Sequence, residues 1–215
     1  MRQQNTVPLD FIDHLIFTSP NLESGMDYIE SKLGVRPIIG GRHPKFGTQN
    51  ALLSLGPKIY LEVIAPDPQS KLRNEKVLFD NIYKNGIQLS TWVMHTDKID
   101  TIAAVSKKGG LDVGTVSPGS RIKPDGTEIS WKASNPFAFH CGGAIPFLID
   151  WGESMHPAAE LPRGGELLSF QIKHPNPVTV SAYLKNLGLD VLVSKSPNIQ
   201  LIANVQTPKG VVLLQ

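Results

Sequence analysis

Glu62 lies in the apolar run Lys58-Ile59-Tyr60-Leu61-Glu62-Val63-Ile64-Ala65. The run reads as a strand buried on at least one face. An unpaired ionised carboxylate there costs several kcal/mol or titrates away, so Glu62 requires a cation, a hydrogen-bond partner or a metal. His14 lies in the short, apolar and β-prone run Phe11-Ile12-Asp13-His14-Leu15-Ile16-Phe17-Thr18. If both side chains face one hollow, they either bond each other across it or supply a base and metal ligands for chemistry.

A second cluster is the stretch Gly40 to Asn50, in which Arg42, His43 and Lys45 gather positive charge among glycines. It reads as a gate loop over a cavity, with Arg42, His43, Thr48 and Asn50 meeting an anionic or polar substrate group. The competing reading is a solvated connector in which Thr48 and Asn50 make local turn bonds. Arg121, Lys123 and Asp125-Gly126 read as an exposed hairpin tip. Trp92, Trp131 and Trp151 suit core packing, and Trp131 is the one assigned to stack on a ligand. His140 and Cys141 are neighbours that a strand would turn to opposite faces, so Cys141 reads as an inert thiol. His95, His156 and His174 receive no role.

These residues are positioned by a pattern that occurs three times. A strand from Phe11 to Thr18 leads, through the N-cap Asn21, into a helix with its stripe at Leu22, Met26, Ile29 and Leu33 and a stop at Gly34. The same signals return at Leu89 to Met94, with Asp97 as cap and Gly110 as stop, and again at Leu167 to Ile172, with Asn176-Pro177 as start and Gly188 as stop. The stop glycines lie 76 and then 78 residues apart, which marks an internal repeat. Short strands follow each helix; those after the second are read at Val113 to Val116, Glu128 to Lys132 and Ile145 to Trp151, and the third series starts at Val191 to Val193. The fold class is therefore α+β, built of βαβββ modules. Modules 8–66 and 86–152 make one domain, 8–157, and a third module spans 166–215. A short helix is expected in the linker, at Lys76 to Tyr83. One module cannot cover both faces of its sheet, so the first two are expected to pair into a half-open barrel with a cavity between them. The concave face of the third module is expected to pack on another copy, giving a homodimer, or else to close over the first barrel.

These modules resemble the vicinal oxygen chelate superfamily, which includes glyoxalase, extradiol dioxygenases, epimerases and drug-sequestering proteins. The nearer resemblance is to its glyoxalase-like domain family. Asp13-His14-Leu15, Gly40 to Asn50, Tyr60-Leu61-Glu62, Lys123-Pro124-Asp125-Gly126 and Pro146-Phe147-Leu148-Ile149-Asp150-Trp151-Gly152 carry it. The resemblance implies metal-ligand positions on the first and last strands of the two paired modules. His14 and Glu62 match two of these, Asp150 matches a third with Ile149 one residue away, and Ser90 or Thr91 stands at the fourth. An imidazole and two carboxylates suit a divalent ion such as Zn, Mn, Fe or Ni, acting as a Lewis acid on a small oxygenated molecule, with Glu62 as base. The implied activity is that of an isomerase or lyase. The alternatives are a metal-free protein that binds or sequesters a small molecule, and a dioxygenase, which would need a second histidine in the ligand set.

The bulk properties agree with such a domain. The 215-residue chain is 40% hydrophobic with a net charge of +2, too little to argue for nucleic acid or an acidic membrane surface. It has no apolar run long enough for a leader or a membrane span. A single cysteine excludes a disulfide framework, and the expected location is cytoplasmic.

Overall fold

The computed structural model describes residues 6–72, 86–123 and 125–215, so the linker helix expected at Lys76 to Tyr83 lies outside the described residues. The first module comprises β1 (Ile12–Thr18), α1 (Leu22–Leu33), β2 (Ile38–His43), β3 (Thr48–Gly56) and β4 (Ile59–Pro66). The second comprises β5 (Gln88–His95), α2 (Ile99–Lys108), β6 (Ser117–Ile122), β7 (Glu128–Ala133) and β8 (Phe147–Asp150). The third comprises β9 (Glu166–His174), α3 (Pro177–Asn186), β10 (Ser194–Lys195), β11 (Gln200–Thr207) and β12 (Gly210–Leu214). The βαβββ order is thus present three times.

Local signals account for most boundaries. The Asn21 side chain accepts from Ser24 N at the start of α1, and Gly34 ends it in the left-handed region at φ 78°. Helix α2 starts after Lys98 without a side-chain cap, where Asp97 was expected to serve. The strands expected at Val113 to Val116 and Val191 to Val193 instead begin at Ser117 and Ser194, because apolar residues in those approaches are buried against the core without joining a ladder. Gly40 to Asn50, expected as a loop, is mostly the β2–β3 hairpin, with its turn between His43 and Thr48.

The first two modules form one barrel in the order β1-β4-β3-β2-β6-β7-β8-β5. It is closed where a half-open one was expected. One seam, β1 to β5, is a long antiparallel ladder, whereas the β2 to β6 seam rests on the single pair Arg42 and Ile122. Alternation along the strands separates two apolar layers. Ile16, Leu52, Tyr60, Ile64, Val93, Ile149 and Trp151 cluster inside the barrel. Leu15, Phe17, Leu61, Val63, Trp92 and Met94 belong to the outer layer, with the buried stripes of α1 and α3.

The third module closes over the outside of the barrel. Its sheet runs β10-β9-β11-β12. One face carries Leu167, Phe170, Ile172, Leu201, Ala203, Val205 and Leu214 into the same core cluster as Trp92, and the Phe170 and Trp92 rings lie 5.5 Å apart. The other face carries Gln171 and Asn204 beside Leu168, Val211 and Leu213, which remain exposed. No helix among the described residues is long and apolar enough to cross a membrane.

Candidate active site

β1 and β4 run parallel, with His14 beside Tyr60 and Ile16 beside Glu62. The strand period carries His14, Ile16, Tyr60, Glu62 and Ile64 onto one wall of the barrel interior. His14 Nε2 lies 3.4 Å from Glu62 Oε2, and the Tyr60 ring stacks on the imidazole at 4.4 Å. Glu62 Oε1 accepts a 2.6 Å hydrogen bond from Asn50 Nδ2 on β3.

His14 Nδ1 donates to Asp13 Oδ1 at 2.7 Å. Strict alternation would turn these neighbours to opposite faces, but a register shift between Ile12 and His14 in the β1–β5 pairing interrupts it. Asp13 Oδ2 accepts from Trp151 Nε1 at 2.9 Å, with His156 Nε2 at 3.3 Å and His95 Nδ1 at 3.6 Å. A carboxylate only accepts, so an imidazole with one at each nitrogen carries both protons.

The electrostatics follow from this arrangement. Burial by itself would lower the His14 pKa, but hydrogen bonds to Asp13 and Glu62 and the charge of both raise it to about 9. Burial would raise Glu62, but the His14 hydrogen bond and charge, the field of His43 and the Asn50 bond bring it down to about 2. Asp13 is pushed up by burial yet held well below the usual carboxylate range by His14, His156 and His95. His43 is lowered, first by burial and, against the charge of Glu62, by the fields of Arg121 and His14; its Nδ1 lies 3.0 Å from Thr48 Oγ1. Burial raises the Tyr60 phenol well above its ordinary value and keeps it protonated.

The hollow in front of this wall opens to solvent; with that open space counted, its empty volume is about 680 Å³. Its apolar sides include Phe46, Trp131, Phe147, Ile149 and Trp151. Gly119 makes room for one of them, since a Cβ there would stand 2.5 Å from Trp131 Nε1. The polar groups facing in include His14, His43, Asn50, Glu62 and Arg121. A few directed polar groups in an apolar hollow is the ordinary form of a small-molecule site.

The sequence-named residues divide accordingly. Glu62, His14, His43, Asn50 and Trp131 share the cavity. Thr48 is buried behind His43 and bonds it rather than lining the wall. Arg42 turns outward on β2 and forms an exposed two-pronged pair with Asp67, Nε to Oδ2 at 2.8 Å and Nη2 to Oδ1 at 2.6 Å. Asp150 does not join His14 and Glu62. Ile149 faces the interior, and Asp150, one residue on, caps a turn by accepting from Gly152 N at 2.8 Å. On β5, Ser90 Oγ bonds Thr18 Oγ1 at 2.6 Å and Thr91 Oγ1 donates to Gly143 O at 3.1 Å.

The expected metal set of His14, Glu62 and Asp150 is therefore not assembled. Among the described residues, no three His, Cys, Asp or Glu side chains stand together so as to hold an ion. Three protein ligands are the usual minimum at a catalytic zinc, and the residues present do not fit Zn, Mn, Fe or Ni. His43 is a second cavity histidine, but it does not complete the two-histidine, one-carboxylate set a dioxygenase would need.

The sequence missed Arg121 and Asp13, and gave no role to His95 and His156, which stand at Asp13. Arg121, read as part of an exposed hairpin tip, is 5% exposed and lines the cavity, donating from Nη1 to Gly40 O. Its period-2 relation to Gly119, both inward on β6, was the available signal. Asp13, quoted only as a motif neighbour of His14, orients that imidazole.

Comparison with known proteins agrees with this architecture. The family model for the glyoxalase-like domain matches residues 12–188. A hypothetical protein from Staphylococcus aureus superposes with a TM-score of 0.61 at 18% identity, covering 94% of this chain and 83% of its own. Methylmalonyl-CoA epimerase from Mycobacterium tuberculosis gives 0.45 at 15% identity, covering 71% and 93%. A variant of the Streptomyces coelicolor methylmalonyl-CoA epimerase gives 0.45 at 18% identity, covering 68% and 98%. A search of curated proteins finds no match. The chain belongs to the glyoxalase-like domain family.

Proposed function

We propose that the barrel cavity is the active site of an isomerase or lyase that moves a proton on a small oxygenated molecule, without a metal. The observation that carries this reading is the His14–Glu62 pair, buried side by side on the cavity wall with Asp13 fixing the imidazole from behind. At rest the His14 Nε2 proton faces Glu62, and Glu62 is a weak base. A substrate oxygen that takes this proton as its hydrogen-bond partner leaves Glu62 with Asn50 alone, and the carboxylate regains basicity. Glu62 then removes a proton from the carbon next to that oxygen-bearing carbon. Negative charge develops on the oxygen facing the His14 Nε2–H, where a positioned cationic donor stabilises it most. Return of the proton to a different face or atom gives isomerisation; loss of a leaving group from the adjacent carbon gives elimination.

A second reading, a metal-free binding protein, is favoured by one feature: in the resting site the charges of His14 and Glu62 are spent on each other. One experiment separates the two. Small carbonyl and hydroxy acids are incubated with the protein in deuterated buffer containing chelator, and deuterium at carbon is followed by NMR. Catalysed exchange supports the enzyme, and saturable binding with no exchange across the panel supports the binding protein. We also propose a homodimer formed through the open face of the third module, where Leu168, Val211 and Leu213 are exposed, and a reducing, cytoplasmic setting, which the lone Cys141 fits.

A further inference from the structure

Arg121 is 5% exposed, and its one hydrogen bond among the described residues goes to Gly40 O. A guanidinium has five N–H donors, so most of its donors have no partner there. These donors are not among the described buried atoms that lack a partner, so they are open to the cavity, where the usual partner of a guanidinium is a carboxylate gripped by two parallel N–H bonds.

Beside it lies a buried acceptor that the cavity does not reach. Asn50 is 2% exposed, and its Oδ1 has no hydrogen-bond partner. The orientation of the amide is fixed: Nδ2 must face Glu62, because a carboxylate can only accept. Oδ1 is thus a buried acceptor in want of a donor, a state that costs about 1–3 kcal/mol. That oxygen has no surface open to the cavity and packs on Gly40: Arg121 holds the glycine carbonyl, and a Cβ there would lie 2.4 Å from Asn50 Oδ1.

We propose that the cavity takes a small carboxylic acid, with Arg121 gripping the carboxylate through the donors that Gly40 O leaves free. Arg121 is then the residue that sets substrate class. This rests on the cavity being the ligand site, and it names the substrate that Glu62 and His14 act on. His14 cannot substitute for Arg121, because its charge already lies between Asp13 and Glu62. The rest of the ligand is apolar, and the walls at Phe46, Trp131, Phe147 and Trp151 favour an aromatic body.

The test is calorimetric binding to the full chain of two probes with one aromatic body: 3-phenylpropionate, and 3-phenylpropionamide, which lacks the carboxylate. The expected result is that the acid binds at least about tenfold tighter than the amide, as loss of one charge-assisted pair predicts. In Arg121→Met the acid should fall to the affinity of the amide while the amide is unchanged. If that variant does not fold, the two probes on the natural protein decide alone. Equal binding of acid and amide, a preference for the acid that survives Arg121→Met, or no binding of either probe at millimolar concentration would overturn the assignment. Selective binding without deuterium exchange would leave this assignment standing and defeat the proton-transfer reading instead.

Discussion

Replacing Glu62 by Gln should alter both the stability of the protein and its dependence on pH. In the native chain the His14 pKa is raised from 6.5 to about 9 and the Glu62 pKa lowered from 4.5 to about 2. The raised histidine contributes stability that is complete below 6.5 and lost as pH climbs through about 9. The depressed carboxylate contributes stability that is complete above 4.5 and lost as pH falls through about 2. At roughly 1.4 kcal/mol per pKa unit each limb amounts to about 3–4 kcal/mol. Both limbs include the His14–Glu62 contact, so they are not added. The plateau therefore lies between pH 4.5 and 6.5. In Glu62→Gln, His14 keeps Asp13 but loses an opposite charge 3.4 Å away, so its pKa should fall by about 1–3 units. Stability on the plateau should drop by about 3 kcal/mol, the lower end of the range for breaking a buried pair, because Asp13 still compensates the imidazolium. Urea unfolding at half-unit steps from pH 4 to 10, paired with NMR titration of the His14 ring, measures both. A native protein whose stability is flat from pH 6.5 to 9, or a variant with an unmoved His14 titration, would refute the assignment of charge to this pair.

Other expectations rest on different contacts. Gly40→Ala should destabilise by about 1–3 kcal/mol by thermal melting, since the new Cβ would meet Asn50 Oδ1 at 2.4 Å and Leu52 Cγ at 2.9 Å. Phe170→Ala should cost about 3–5 kcal/mol in chemical denaturation, because its ring is fully buried against Trp92 and ties the third module to the barrel. Sedimentation at micromolar concentration should show a homodimer, and a clean monomer would remove that proposal. Dialysis against Zn, Mn, Fe or Ni should leave less than about a tenth of an equivalent bound, since three converging ligands are lacking.

What the sequence revealed and what it concealed have physical causes. His14 and Glu62 were legible because a charged or titratable group inside an apolar strand is an exception that folding must answer. The repeat was legible because each helix announced its own cap and stop. Asp150 misled because β8 is only four residues long, and a one-residue phase error in so short a strand exchanges cavity and exterior. Arg42 and Arg121 exchanged the parts the sequence assigned them. Which strand residues face inward is decided where β2 meets β6 in the closed barrel, so the period-2 relation of Arg121 to Gly119 showed that they share a face but not which face. The third module's position was left open by its repeat alone; the apolar residues shared by Phe170 and Trp92 fix it.

The most direct test of proton transfer at the His14–Glu62 pair is the rate of deuterium incorporation into a bound hydroxy or oxo acid, in the natural protein and in Glu62→Gln. Removing a general base should slow exchange about 10²–10⁴-fold while ligand affinity changes little. Exchange that continues undiminished in Glu62→Gln would contradict the assignment of Glu62 as the base.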